Sequence, residues 1–134
     1  MVTVLEAIDA YGVTVTMMTP TMVIMLLQDP EAERYDLSSL RQLIYGSSPM
    51  AAEWIEKMLA RFAGVEIVQA YGLTETSPIL TLLPMAAHER ALETGETEIL
   101  RSAGRQIPGV DLKIVGAGDE EVETGRAGEV KIGR

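Results

Sequence analysis

The chain has 134 residues, of which 47% are hydrophobic, and this proportion excludes an intrinsically disordered protein. Its formal net charge is −9 and its Lys and Arg residues form no cluster, so the chain is a poor candidate for nucleic-acid binding, which needs basic side chains at the phosphates. Cysteine is absent, which excludes disulfides, a thiolate nucleophile and cysteine-ligated metals.

The N-terminal part predicts a helix, a strand and a second helix. Residues 3–10 place apolar side chains on one helical face, and Gly12 can end that helix. The β-branched and apolar run at 13–18 predicts a buried strand. Thr19 can cap the next helix with Pro20 at its first position. That helix is apolar nearly all round, so we expect neighbours to cover it on several sides.

The middle of the chain repeats this alternation. Asp36 can cap a short turn, and residues 42–45 predict a brief strand. Ser48 is predicted to cap a further helix that Pro49 opens, and residues 65–70 predict the third strand. Strands that alternate with helices in this way predict parallel pairing with right-handed crossovers.

Beyond the third strand the helical periodicity weakens. Residues 111–115 and 129–132 predict antiparallel strands, with a solvated acidic turn at 116–121. The predicted fold is therefore α/β: a partial doubly wound parallel sheet of βαβαβ order, followed by antiparallel strands of a second sheet. We interpret residues 1–80 as a nucleotide-binding portion and 81–134 as a loop and β-rich portion, both belonging to one larger domain.

The sequence contains no pattern typical of a transmembrane or secreted protein. Its longest apolar stretch, residues 13–27, is too short and too often interrupted by threonine and proline to span a bilayer. The first residues lack the basic segment of a signal peptide. We therefore expect a cytoplasmic protein.

Two polar loops follow the second and third predicted strands. In a parallel sheet, ligands bind beyond the carboxyl ends of the strands, so we expect both loops at one edge, beside the helix N-termini after Thr19 and Ser48. Glycines allow a flat base to approach, an aromatic ring can stack on it, hydroxyls can donate to phosphate, and a carboxylate can bind Mg²⁺. The residues that offer these groups are Gly46, Ser47, Ser48, Pro49, Tyr71, Gly72, Thr74 and Glu75.

Each of these features also has a purely structural explanation. Ser48 and Pro49 are explained by helix capping, Tyr71 and Gly72 by a turn, and Glu75 by an exposed surface acid. His88, the single histidine, lies outside any motif, and we expect it on the surface. The methionines at 17, 18, 22 and 25 favour core filling over a ligand-pocket wall. Residue types alone therefore support an α/β domain with an anion- or nucleotide-binding edge.

Four ordered strings add a resemblance. Tyr-Gly-Leu-Thr-Glu-Thr at 71–76 resembles the adenine-and-magnesium motif of the adenylate-forming superfamily, and the chain is most similar to an acyl-CoA synthetase. Residues 35–41 resemble the segment before that family's adenine-contacting loop, and 46–49 resemble the loop itself, where Ser47 replaces the second glycine of Gly-Gly-Ala-Pro. Residues 128–132 resemble the Gly-Glu-Leu strand that follows.

The resemblance implies a ligase that uses ATP and Mg²⁺. A carboxylic acid would attack the α-phosphate to give an acyl-adenylate, and a thiol, usually that of coenzyme A, would then form a thioester. Thr74 would contact the phosphate and Glu75 would bind Mg²⁺, both as catalytic residues. The implied nucleotide-binding residues, for ATP or AMP, are Gly46, Ser47, Ser48, Pro49, Gln69, Tyr71, Gly72 and Thr74. Leu73 slightly favours acyl-CoA synthetases or luciferase-like ligases, because peptide-synthetase domains often have proline there.

Several parts of that family's site are not found in this sequence. They are the Gly-rich phosphate loop with its lysine, the ribose-binding aspartate, and the mobile C-terminal domain with its catalytic lysine. We therefore expect an internal piece of the large domain that is inactive alone and self-associates through cut sheet edges. Two alternatives remain open: a non-catalytic nucleotide-binding or interaction module of α/β fold, and an unrelated flavodoxin-like binding protein.

Overall fold

The computed structural model describes residues 2–76 and 78–133. Short 3₁₀ turns lie at Ala32–Arg34, Thr74–Thr76 and Thr97–Arg101. The helices are α1 (Val2–Tyr11), α2 (Pro20–Gln28), α3 (Ala52–Arg61) and α4 (Met85–Thr94). The strands are β1 (Val15–Met18), β2 (Gln42–Gly46), β3 (Glu66–Tyr71), β4 (Thr81–Leu83), β5 (Arg105–Gln106), β6 (Leu112–Val115) and β7 (Glu129–Ile132).

The strands form two sheets. Five strands follow one another in the order β1-β2-β3-β4-β5; the first three are parallel, and β4 and β5 are antiparallel to their neighbours. The strands β6 and β7 form a separate antiparallel pair. The predicted α/β class, with its βαβαβ order and later antiparallel strands, is confirmed. Strands β4 and β5 and helix α4, which the sequence analysis did not identify, continue the first sheet past residue 80.

One face of the parallel strands carries the core. Leu43 and Tyr45 of β2 lie level with Thr16 and Met18 of β1, and successive residues of a strand point to opposite faces. Leu43, Tyr45 and Met18 are buried together with side chains from all four helices. Burial of these apolar groups supplies the main driving force for packing the helices on this face.

The opposite face of β1 is open, which corrects the prediction of a fully buried strand. Val15 is 53% and Met17 57% exposed. Strand β1 pairs with β2 along one side and with no other described strand. The methionines divide accordingly: Met18 fills the core and Met22 packs against it, whereas Met17 and Met25 are exposed. Helix α2 buries Val23 and Leu26, and Met22 and Leu27 pack against the core, whereas Met25 is exposed.

The capping predictions have mixed outcomes. The hydroxyl of Thr19 accepts a hydrogen bond from the Met22 N–H and Pro20 begins α2, as predicted. The prediction that Ser48 caps and Pro49 opens the next helix is wrong, because α3 begins at Ala52 and Ala51 makes no side-chain cap. Ala51 is extended, with ψ 145°, so the helix cannot continue back to Pro49, and the Met50 side chain lies in the core. No helix of the described part of the chain is long and apolar enough to cross a membrane.

Candidate nucleotide site

The two motif loops leave the sheet side by side. Strands β2 and β3 are parallel neighbours, and Gly46 at the end of β2 lies level with Ala70, one residue before the end of β3. Both loops therefore start at the same edge of the sheet, as the sequence predicts. The N-terminus of α2 follows the neighbouring parallel strand β1 at this edge, whereas α3 begins three residues later than predicted.

The first loop begins with a close backbone contact. Gly46 is buried, and a Cβ atom at this position would overlap the carbonyl oxygen of Ala70. Packing of the two strands therefore requires glycine here whether or not a base binds. The next residue, Ser47, has φ +76°, a left-handed conformation that glycine adopts without strain. This conformation explains why the resembling loops have a second glycine where this chain has serine.

The second loop is a compact turn. Tyr71 is half-buried at the end of β3, and a Cβ on Gly72 would overlap the carbonyl oxygen of Pro78. The Thr76 hydroxyl accepts a hydrogen bond from the Leu73 N–H at 3.0 Å and donates one to the Leu73 carbonyl at 2.8 Å. Thr76 therefore holds the turn together, and the turn presents Thr74 and Glu75 to solvent.

Comparison with known proteins decides the family. The whole chain, residues 1–134, matches the AMP-binding enzyme family. The chain belongs to this family.

Relatives of this AMP-binding chain include ligases with different acyl acceptors. It is 39% identical over 129 residues to "4-coumarate--CoA ligase-like 6" from Oryza sativa subsp. japonica. The aligned residues make up 95% of this chain and 20% of that protein. It is 34% identical over 125 residues to "Fatty acid--[acyl-carrier-protein] ligase ScoC" from Streptomyces coeruleorubidus, covering 93% and 23%. Thus the chain spans about a fifth to a quarter of the length of these curated relatives.

Solved structures of the family share the fold of the AMP-binding chain. The amide bond synthetase McbA from Marinactinospora thermotolerans superimposes with a TM-score of 0.82 at 31% identity, covering 95% of this chain and 24% of that one. The inhibitor-bound N-terminal domain of FACL13 from Mycobacterium tuberculosis gives a TM-score of 0.77 at 30% identity, covering 96% and 30%. The sheet and helices described above are therefore those of the family.

The two loops at this edge of the sheet, residues 46–49 and 71–76, offer a divalent cation one carboxylate, that of Glu75. Among residues 2–76 and 78–133, no three acidic or histidine side chains are grouped as a metal cluster. Mg²⁺ commonly binds one or two carboxylates while phosphates and water complete its octahedron. The exposed Glu75 side chain fits that ligand set as the single protein carboxylate, provided that a nucleotide supplies the phosphates.

Three polar residues near the ends of β2 and β3 form a connected group that sequence reasoning did not find. The Tyr45 hydroxyl lies 2.9 Å from His88 Nε2 and 3.3 Å from the side-chain amide of Gln69, while His88 Nδ1 lies 3.0 Å from the Pro84 carbonyl oxygen. The prediction of a surface His88 is wrong, because the residue is 0% exposed. Its position four residues after Pro84, on the buried side of an amphipathic helix, was the signal available.

Burial shifts the protonation of both rings in this group. Desolvation lowers the pKa of His88, and the hydrogen bond to the Pro84 carbonyl opposes that shift more weakly. Desolvation also raises the pKa of Tyr45. Both side chains are therefore neutral near pH 7. The residues of this group interact through hydrogen bonds, and none of them is charged.

Proposed function

We propose that this chain forms the nucleotide- and metal-binding part of the site of an adenylate-forming carboxylic acid ligase. The proposal depends above all on the parallel pairing of β2 with β3, which brings the loops at 46–49 and 71–76 to one edge of the sheet. Membership of the AMP-binding enzyme family supports a nucleotide as the ligand of that edge. The division into a nucleotide-binding portion (1–80) and a β-rich portion (81–134) of one larger domain is part of the proposal.

Each loop residue has a proposed role. The Tyr71 ring stacks on adenine, while Gly46, Ser47, Ser48 and Pro49 line the base and the acyl group. The Thr74 hydroxyl donates a hydrogen bond to a phosphate oxygen, and Gln69 and Gly72 complete the nucleotide surface. Glu75 binds Mg²⁺, which when bound neutralises phosphate charge.

The proposed reaction has two steps. A substrate carboxylate oxygen attacks the α-phosphorus of ATP, the bond to the bridging oxygen breaks, and pyrophosphate leaves. A thiol sulfur then attacks the acyl carbonyl carbon and loses its proton, and AMP departs. The Thr74 donor stabilises negative charge that develops on the phosphate oxygens of the first step. Coenzyme A is the proposed thiol because several relatives are named CoA ligases.

Binding to the 134-residue chain tests the nucleotide site directly. We expect AMP to bind without metal, and ATP to bind more tightly when Mg²⁺ is added. Tyr71→Ala removes the stacking ring, so both affinities should fall by about tenfold. Isothermal titration measures these affinities. Equal affinity of wild type and Tyr71→Ala would remove Tyr71 from the adenine site.

The role of Glu75 needs a charge-matched comparison. Glu75→Gln removes the carboxylate, so we expect AMP to bind as before while the gain in ATP affinity on adding Mg²⁺ disappears. Glu89→Gln makes the same charge change at an exposed position of α4 and should keep that gain. A magnesium effect that survives Glu75→Gln would exclude Glu75 as a ligand.

The same substitution has a catalytic consequence in an enzyme that contains this segment. Loss of one charge-stabilising group from a phosphoryl-transfer site lowers the rate by about 100-fold or more. We expect Glu75→Gln to reduce carboxylate-dependent exchange of pyrophosphate into ATP by that factor, with an unchanged melting temperature. Full exchange activity in the variant would contradict the assignment.

A further inference from the structure

A buried chain of hydrogen bonds connects helix α4 to the carboxyl end of β3. It begins at the Pro84 carbonyl, passes through the His88 imidazole and the Tyr45 hydroxyl, and ends at the Gln69 amide. Tyr45 is 1% and His88 0% exposed, and their rings meet edge to face with centroids 5.8 Å apart. Gln69 is half-buried and precedes Tyr71 by two residues. The chain of bonds therefore ends at the proposed nucleotide edge.

Core packing does not by itself explain this group. Tyr45 lies in a cluster that is otherwise almost wholly hydrocarbon, and apolar side chains would fill the same space without desolvating a hydroxyl and an imidazole. Within the described residues, no buried side-chain nitrogen or oxygen lacks a hydrogen-bond partner. The three side chains thus form a complete network that fixes their relative orientation.

The number of available protons decides which group donates and which accepts in each hydrogen bond of the network. The Pro84 carbonyl can only accept, so His88 Nδ1 must carry a proton. In a neutral ring Nε2 then has a lone pair and accepts the single proton of the Tyr45 hydroxyl, at 2.9 Å. The Tyr45 oxygen can still accept, so the amide of Gln69 satisfies it only by donating an N–H.

This direction selects one of two orientations of the Gln69 amide. With the amide oxygen toward Tyr45, the hydroxyl would have to donate to Gln69, and Nε2 of His88 would need a second ring proton. Such a cation would be fully buried, which is unfavourable. The structure places Gln69 Oε1 toward the Tyr45 hydroxyl at 3.3 Å, and a half-turn about the last torsion of Gln69 exchanges this oxygen with the amide nitrogen. After that half-turn the NH₂ group faces Tyr45 and the oxygen lies on the other side.

We propose that Tyr45 and His88 are positioning residues that hold the Gln69 amide with its oxygen facing the nucleotide edge, as an acceptor for an N–H or O–H group of the bound ligand. The identity of the ligand rests on the function proposed above, whereas the amide orientation does not. Neither residue contacts the reacting atoms, so their effect on ligand binding passes through Gln69.

Nuclear magnetic resonance of the 134-residue chain tests the orientation without any ligand. We expect the ¹⁵N shifts of His88 to report a neutral ring protonated at Nδ1, and we expect cross-relaxation between the Gln69 NH₂ protons and the Tyr45 ring. Tyr45→Phe should leave the Gln69 amide free to rotate and alter the Nε2 shift. A proton on Nε2 in place of Nδ1, or a Gln69 NH₂ group distant from Tyr45, would overturn the proposal.

A double-mutant cycle tests the effect on binding, with AMP as the probe. We expect Gln69→Leu to weaken AMP binding about tenfold, as loss of one hydrogen bond does. Tyr45→Phe should weaken AMP binding several-fold in the wild-type background. In a chain that already carries Gln69→Leu, the same substitution should have no further effect on AMP binding. Tyr11→Phe removes an exposed hydroxyl and serves as the control. Equal effects of Tyr45→Phe in both backgrounds would indicate a merely structural role and contradict the proposal.

A conservative replacement separates positioning from folding. His88→Gln keeps an acceptor for the Tyr45 hydroxyl, whereas His88→Leu does not, and we expect only His88→Gln to retain most of the AMP affinity. Melting temperatures identify variants that fail to fold. If the wild type binds no AMP, the proposed function and the ligand part of this inference fail together, and the magnetic resonance data still decide the amide orientation.

Discussion

Ser47 is the residue whose backbone conformation most clearly departs from what its side chain prefers. Its φ of +76° lies in the left-handed region, where a Cβ costs about 1–2 kcal/mol. Ser47 is exposed, and its side chain makes no hydrogen bond to another described residue that would compensate this cost. The position is therefore a source of local strain at the edge of the proposed site.

We expect Ser47→Gly to stabilise the chain by up to about 1 kcal/mol, because relief of the left-handed strain exceeds the extra chain entropy of glycine. The neighbouring exposed residue provides the control: Ser48→Gly gains no such relief and should be neutral or slightly destabilising. Chemical denaturation of the three proteins measures the difference. If Ser47→Gly lowered the free energy of unfolding as much as Ser48→Gly does, the proposed backbone strain at Ser47 would be contradicted.

Residue-scale prediction from sequence succeeds where the determining interaction is local. The Thr19 cap was predictable because its partner, the Met22 N–H, is three residues away. The hydrogen bond between His88 and Tyr45 was not, because the two residues are 43 positions apart and the sequence gives no pairing. The roles of Thr74 and Glu75 come from the motif resemblance and remain predictions.

At the scale of elements, the start of α3 shows how packing overrides a local signal. Ser48-Pro49 has the composition of a cap and first turn, yet the helix begins at Ala52. Met50 is buried in the core and Ala51 is extended, so the residues expected to form the first turn lie outside the helix. The N-cap residue of α3 is therefore Ala51, which has no side-chain oxygen for the first N–H groups.

This uncapped start can be improved. Ala51→Ser supplies an acceptor for a free N–H of the first turn, and we expect it to stabilise the chain by about 1 kcal/mol. Ser48→Ala removes the residue that the sequence alone assigns as the cap and should change stability by less than about 0.5 kcal/mol. Thermal unfolding followed by circular dichroism distinguishes the two. A large loss of stability in Ser48→Ala would indicate that Ser48 caps the helix after all.

Element prediction also depends on length. The three parallel strands were identified because each has four to six residues and follows or precedes a helix with clear periodicity. Strands β4 and β5 have three and two residues, which is too short for an alternating pattern. Their existence follows from hydrogen bonds to β3 and to each other rather than from their own composition.

At the scale of the whole molecule, the face of β1 that carries Val15 and Met17 is open among the described residues, and so is the free edge of this strand. Val15 and Met17 are more than half exposed on β1, the first strand in the order of the larger sheet. An exposed apolar strand edge is a template for pairing with another chain. The chain spans about a fifth to a quarter of its curated relatives, so most of a relative's length has no counterpart here.

We expect the purified chain to self-associate through β1. Met17→Lys places a charge on the open face and should shift the population toward monomer, as measured by sedimentation velocity. Ala63→Lys adds the same charge at an exposed residue after α3 and should leave association unchanged. A wild-type chain that is monomeric at all concentrations would contradict this expectation.

The reversal of direction between β3 and β4 has a consequence for how the proposed nucleotide edge can vary among homologues. Because Tyr71 pairs with Thr81, the motif segment leaves the sheet and rejoins it at adjacent points. Both members of the tight Gly72–Pro78 contact also lie inside that segment. We therefore expect that a homologue's segment between Tyr71 and Thr81 can be exchanged at these two points without changing the register of β3 with β4.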